Sequence, residues 1–211
     1  MRNPGWAVDR ISSIGMKESI WIGLSVFVTY LITNVLTVYM MFRTVIEQIP
    51  EQLASAYDQV LTIMSISTSV GVVFGDIATF VLGWAFIVIA VMLLNGRRNH
   101  RALFGWLSIG YLPLALYSAC AVMLLVLFSD ALTHEGLASI PTIEQLPVEI
   151  GKMQDSGWFS WLRLGRNLAY GLTLAVACEV VHRLSALSRL KCAGILSAYA
   201  GLHVFITMIV L

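Results

Sequence analysis

Residues 66–94 read ISTSVGVVFGDIATFVLGWAFIVIAVMLL, and residues 95–101 follow as NGRRNHR. A helix needs roughly 20 mostly apolar residues to cross about 30 Å of hydrocarbon. The first stretch exceeds that length with one charged side chain, Asp76, and the second brings Arg97, Arg98, His100 and Arg101 together. Long apolar run followed by basic cluster is the pattern of a membrane span meeting a cytoplasmic loop.

Four more apolar runs lie around it, at about 19–42, 103–128, 158–182 and 192–211. The expectation is an all-α polytopic transmembrane helical bundle of five spans, with residues 1–211 forming a single transmembrane domain. Composition agrees: 58% of residues are hydrophobic and only 12% charged, about half the charged fraction of a soluble domain. The run from Ser19 to Phe42 is too long for a signal-peptide core and precedes no small-residue cleavage pattern, so it is expected to stay in the mature protein.

Shorter elements fill the remainder. Asn3 and Pro4 resemble an N-cap and first turn, and Ala7, Ile11 and Ile14 share a face with Trp6 at its edge. This predicts an interfacial helix with Arg2, Arg10 and Lys17 at headgroup level; a frayed tail is the plainer alternative. Between the first two spans, Pro50 starts a predicted external helix in which Leu53, Tyr57, Val60, Leu61 and Met64 recur at helical spacing. Pro113 is expected to kink the third span, near Gly110 and Tyr111. Residues 130–155, with Pro141 and Pro147, read as a polar loop.

Charge orients the chain. Arg2, Arg10, Lys17, Arg97, Arg98, Arg101, Arg183, Arg189 and Lys191 fall at the amino terminus and in the loops after spans two and four. The other loops carry mainly Glu47, Glu51, Asp58, Glu135, Glu144, Glu149 and Asp155. The positive-inside rule then puts the amino terminus in the cytoplasm and the carboxyl terminus outside. Splitting the second span at Gly75 and Asp76 would give six spans, but one half would be too short and the Arg97 cluster would move outside.

A net charge of +1 leaves no basic excess for a nucleic-acid partner. Cys120, Cys178 and Cys192 form neither a disulfide framework nor a metal spacing, and read as small buried hydrophobes. Ionisable residues inside a bilayer are costly and therefore candidates for function. Asp76 in the second span and Arg163 and Arg166 in the fourth lie at overlapping depths, with Asn167 beside them. A structural ion pair between helices is the plain reading, and a proton or substrate relay is the functional one.

Glu179 and His182 form Glu-x-x-His on one helix face, the spacing of di-iron bundles. The second such motif and the extra carboxylates are missing, so no metal is expected and interfacial residues are the plainer reading. Small residues recur every four positions at Gly71 and Gly75, at Gly171 and Ala175, and at Ala193, Ser197 and Gly201. Such rows let helices approach closely, within one chain or between chains. His-Glu-x-x-His, a Walker loop, Gly-x-Ser-x-Gly and a dinucleotide fingerprint are all absent, and His100, His134, His182 and His203 are scattered. The expectation is a non-enzymatic chain without a cofactor.

The opening Asn3-Pro4-x-x-Ala7-x-x-x-Ile11, the Gly110-Tyr111-Leu112-Pro113 stretch and five spans ending in two closely joined helices resemble the Yip family of Ypt-interacting-protein domain proteins. Eukaryotic members usually carry a long cytoplasmic amino-terminal region and an Asp-Leu-x-Gly-Pro stretch. This sequence shows neither, so binding of Rab-type GTPases is not carried over. The compact form looks more like prokaryotic members, for which the resemblance implies an accessory role in the bacterial cytoplasmic membrane, including partnership with an ABC-type exporter. The lipid bilayer and either a membrane-protein partner or a homo-oligomer are the expected company. The competing expectation is a small transporter or lipid-handling protein with a polar site between spans two, three and four.

Overall fold

A computed structural model describes residues 16–56, 58–96, 100–128, 135–140, 142–155 and 157–210. The amino-terminal interfacial helix expected around Asn3 to Ile14 lies outside the described residues, as do Arg97 and Arg98. Among the described residues every regular element is helical. They are α1 (Met16–Ile46), α2 (Glu51–Ala56), α3 (Asp58–Leu93), α4 (His100–Ile109), α5 (Leu112–Leu127), α6 (Glu135–Ala138), a 3-10 turn (Ile143–Gln145), α7 (Leu146–Asp155), α8 (Gly157–Ser185) and α9 (Arg189–Val210).

Among the described residues, three helical stretches are long and apolar enough to cross a membrane: Glu18–Ile46, Thr62–Leu93 and His100–Leu127. Backbone N–H and C=O groups find no partners in hydrocarbon, so a helix, which pairs them internally, is what such sequences form. The second stretch is longer than the apolar run alone, because α3 begins at Asp58 rather than near Ile66. The external helix expected from Pro50 is helical on both sides of Tyr57, which lies outside the described residues. The Pro50 carbonyl accepts from the Leu53 and Ala54 amides and opens the short α2, and the remainder is the first turns of α3 itself.

The third stretch is interrupted rather than bent. α4 ends at Ile109, and Gly110 and Tyr111 form a turn closed by the Gly110 amide on Trp106 O and the Tyr111 amide on Ser108 O, both at 3.1 Å. A Cβ on Gly110 would lie 2.9 Å from Leu107 O, so the turn is tight against its own backbone. Pro113 falls in the first turn of α5, where its missing N–H costs no intrahelical bond.

The chain divides into two compact units. The first comprises Met1–Thr29, Ala78–Pro113 and Gly171–Leu211, and the second Tyr30–Ile77 and Leu114–Tyr170. The first holds nine basic and three acidic residues, the second four basic and nine acidic. Units found from backbone contacts alone thus separate the charge.

In the first unit, Phe27 packs on Phe80 at 4.5 Å, and Tyr111 meets both rings edge-on. Phe104 continues this cluster to Phe80 and Trp84. α1 and α4 approach backbone to backbone: a Cβ on Gly23 would run into the Gly105 carbonyl oxygen, and one on Gly105 would lie 3.0 Å from the Ile20 nitrogen. Gly83 of α3 likewise accepts the Tyr199 ring of α9, whose hydroxyl donates to Thr79 O at 3.2 Å.

Two turns of this unit use the left-handed region. Asn95, at φ 58°, ends α3 with Gly96 N–H bonded to Val91 O and Asn95 N–H to Met92 O, the paired closure that suits a left-handed residue after a helix. Ala186, at φ 57°, follows α8, and the next amide, Leu187 N–H, donates to Ser185 Oγ at 3.3 Å. Left-handed backbone costs an L-residue roughly 1–2 kcal/mol that glycine avoids. Ala186→Gly is therefore expected to stabilise the chain by up to about 1 kcal/mol, seen as a raised thermal midpoint in detergent; a lowered midpoint would contradict it.

In the second unit, the described residues of the expected polar loop, 135–140 and 142–155, are largely helical. Leu137, Ile140, Leu146 and Met153 are buried with Val45, Ile49, Leu125 and Phe159. The segment is polar on average but places apolar residues where its short helices turn inward. Phe128 stacks on Trp158 at 5.6 Å at the start of α8.

Candidate functional site: a polar cluster within the spans

Asp76 is the only charged side chain of Thr62–Leu93. Thr62 lies about 21 Å away along the helix at about 1.5 Å per residue, so Asp76 falls well inside the span. α1 supplies its partners. Tyr30 and Asn34 stand one turn apart and therefore on one face, within the span Glu18–Ile46. The Tyr30 hydroxyl donates to Asp76 Oδ1 at 3.1 Å, and Asn34 Nδ2 donates to Oδ2 at 2.8 Å and to the Tyr30 oxygen at 3.4 Å. Tyr30 is only 6% exposed. Each carboxylate oxygen thus has a donor, which is how a charge in a low-dielectric setting is held.

α8 brings a countercharge to the same phenols. Both Asp76 and Arg166 act electrostatically on Tyr30 and on Tyr170, and Arg166 acts on Tyr117 as well. Tyr117 fixes α5 against α8 by donating to Leu162 O at 2.6 Å, with its ring packed where a Cβ on Gly165 would stand. Among the described residues Arg166 enters no ion pair within 4 Å. Arg163 and Asn167 occupy exposed positions on α8. The carboxylate and guanidinium therefore share neighbours, with tyrosines as the common groups.

Tyr30 and Asn34 are not among the residues the sequence singles out, because ionisable groups inside spans point to Asp76, Arg163 and Arg166 and not to neutral side chains of α1. The signal was present: Tyr30, Thr33, Asn34 and Thr37 make a polar row in an otherwise apolar span. Thr37 uses its hydroxyl on Thr33 O and Ser118 O.

Glu179 and His182 serve the turn between α8 and α9. Glu179 accepts from Arg183 and Arg189, while His182 Nδ1 contacts Leu187 O. No group of three His, Cys, Asp or Glu side chains that could hold a metal ion occurs among the described residues.

The small-residue rows have a common setting. Gly71, Gly75, Gly171, Ala175, Ala193, Ser197 and Gly201 are all exposed. A Cβ added at Gly71, Gly75, Gly171 or Gly201 would meet nothing within 4 Å. Close internal approach falls instead to Gly23, Gly83, Gly105 and Gly165.

No protein-family model, curated protein or solved structure matches this chain. Its chemistry rests on the residues themselves.

Proposed function

We propose that the chain is a non-enzymatic integral membrane accessory protein that docks laterally on another membrane protein or on its own copy. The observation that carries this reading is the exposure of all three small-residue rows. Helices associate in lipid through close van der Waals contact across such rows, because apolar surface alone gains little there. The proposed chain crosses five times, with α8 and α9 as the last two spans. The basic excess of the first unit supports a cytoplasmic amino terminus. Likeness to compact Yip-family members favours a bacterial cytoplasmic membrane and an exporter or envelope assembly as the docking partner.

Gly75→Leu and Gly201→Leu test it. Both side chains enter open space, so thermal stability of the purified chain is expected to stay within about 1 kcal/mol of the parent. Co-purification of partners from native membranes in mild detergent, or self-association, is expected to be lost. Retention of every partner by both variants would sink the proposal.

The Asp76 cluster favours a second reading, a small transporter with a proton path past Asp76, Tyr30 and Tyr170. Proteoliposomes loaded with a pH-sensitive dye would then show protein-dependent proton flux that Asp76→Asn abolishes. A parent protein that conducts no protons removes this reading.

A further inference from the structure

α8 and α9 are joined by three residues, 186–188, and the charges on either side of this turn are drawn together by Glu179. Its Oε1 accepts from Arg183 Nε at 2.8 Å and Arg189 Nη2 at 3.3 Å, and its Oε2 from Arg189 Nε at 3.2 Å. Two guanidinium groups from different helices are thereby held beside one carboxylate. Lys191 stands one turn-position away on an exposed site and enters no ion pair among the described residues. Arg183, Arg189 and Lys191 outweigh Glu179 by two charges. The Arg189 side chain is 70% exposed, and Leu190 between the two cations is 84% exposed.

We propose that this turn binds the phosphate headgroup of an anionic phospholipid, with Leu190 against the acyl chains. Charge complementarity selects an anion, and the leucine selects an amphiphile over a free ion. Inorganic phosphate would share the headgroup chemistry but leave Leu190 uncovered. Glu179 contributes by holding the arginines in place beforehand, so less side-chain freedom is lost on binding. A lysine or arginine near an anionic bilayer surface adds about 1 kcal/mol of attraction, or about fivefold in affinity. The proposal concerns lipid and not a protein partner, and it holds for either direction of insertion.

The full chain in an uncharged detergent, titrated with phosphatidylglycerol and followed by native mass spectrometry, tests it. Phosphatidylglycerol is expected to bind well above phosphatidylcholine, with Lys191→Gln weakening it about fivefold and the Arg189→Gln/Lys191→Gln pair about 30-fold. Because Arg189 is tied to Glu179 and its loss disturbs the turn, Lys191→Gln decides alone. Equal binding of phosphatidylcholine, or unchanged phosphatidylglycerol binding by Lys191→Gln, overturns the site. Inorganic phosphate competing as strongly as the lipid overturns the lipid as its occupant.

Discussion

Gly23→Ala is expected to cost about 3 kcal/mol, and Gly23→Leu to leave little folded protein in the membrane. The added methyl meets the Gly105 carbonyl oxygen and comes within 2.8 Å of Ser108 Cβ. A flexible side chain can turn aside from such a contact, whereas a backbone carbonyl in a helix cannot without moving α1 away from α4. That movement also opens the packing around Phe27, whose ring touches both Phe80 and Tyr111. Overpacking in a close-packed interior costs about 1–3 kcal/mol, and a collision with backbone belongs at the upper end. Gly75→Ala is the matched control, since its methyl meets open space and alanine is the better helix former. Thermal unfolding in detergent would compare the pair. A Gly23→Ala midpoint equal to that of Gly75→Ala would show that the α1–α4 contact is not held as described.

The fold was legible in the sequence wherever the bilayer sets the rule. The runs that became α1, α3 and the α4–α5 stretch are as long and apolar as a membrane span requires, so length alone found them. Their ends were less legible. α3 is helical back to at least Asp58, because helical backbone continues past the apolar run into polar residues whose composition does not mark a boundary. The helices within 135–155 were hidden for a related reason: Leu137, Ile140, Leu146 and Met153 are spread over short segments, and no single window shows an apolar face. The glycine contacts were hidden differently. Gly23 and Gly105 sit alone in their helices and pair only across space, while the visible four-residue rows turned out to be exposed. Asp76 was legible because a carboxylate in a span is conspicuous. Its neutral partners were not, because a tyrosine and an asparagine are tolerated in many spans without pairing to a charge.

Asp76→Ala is expected to be the most damaging substitution in the polar cluster. It removes the acceptor of the Tyr30 hydroxyl and of one Asn34 N–H, and leaves the Arg166 charge without the carboxylate that shares its neighbours. Hydrogen bonds to a charged group contribute about 1.5–3 kcal/mol each, so losing two costs roughly 3–6 kcal/mol. Tyr30 is almost fully buried, so the lost bond is not simply replaced by one to bulk water. Asp76→Asn is milder, because one oxygen still accepts; its new NH2 group, however, faces a donor where an acceptor stood, and about half the loss is expected. Tyr30→Phe closes a double-mutant cycle with Asp76→Asn, and a coupling of about 1.5 kcal/mol or more is expected from unfolding in detergent. Additive losses would mean that the two residues act separately and that the cluster does not tie α1 to α3. Flux measured on the same variants divides the remaining readings. A tie between helices loses stability in proportion to the hydrogen bonds removed and conducts nothing. A proton path loses conduction on Asp76→Asn by more than the stability change accounts for, and keeps its fold while doing so.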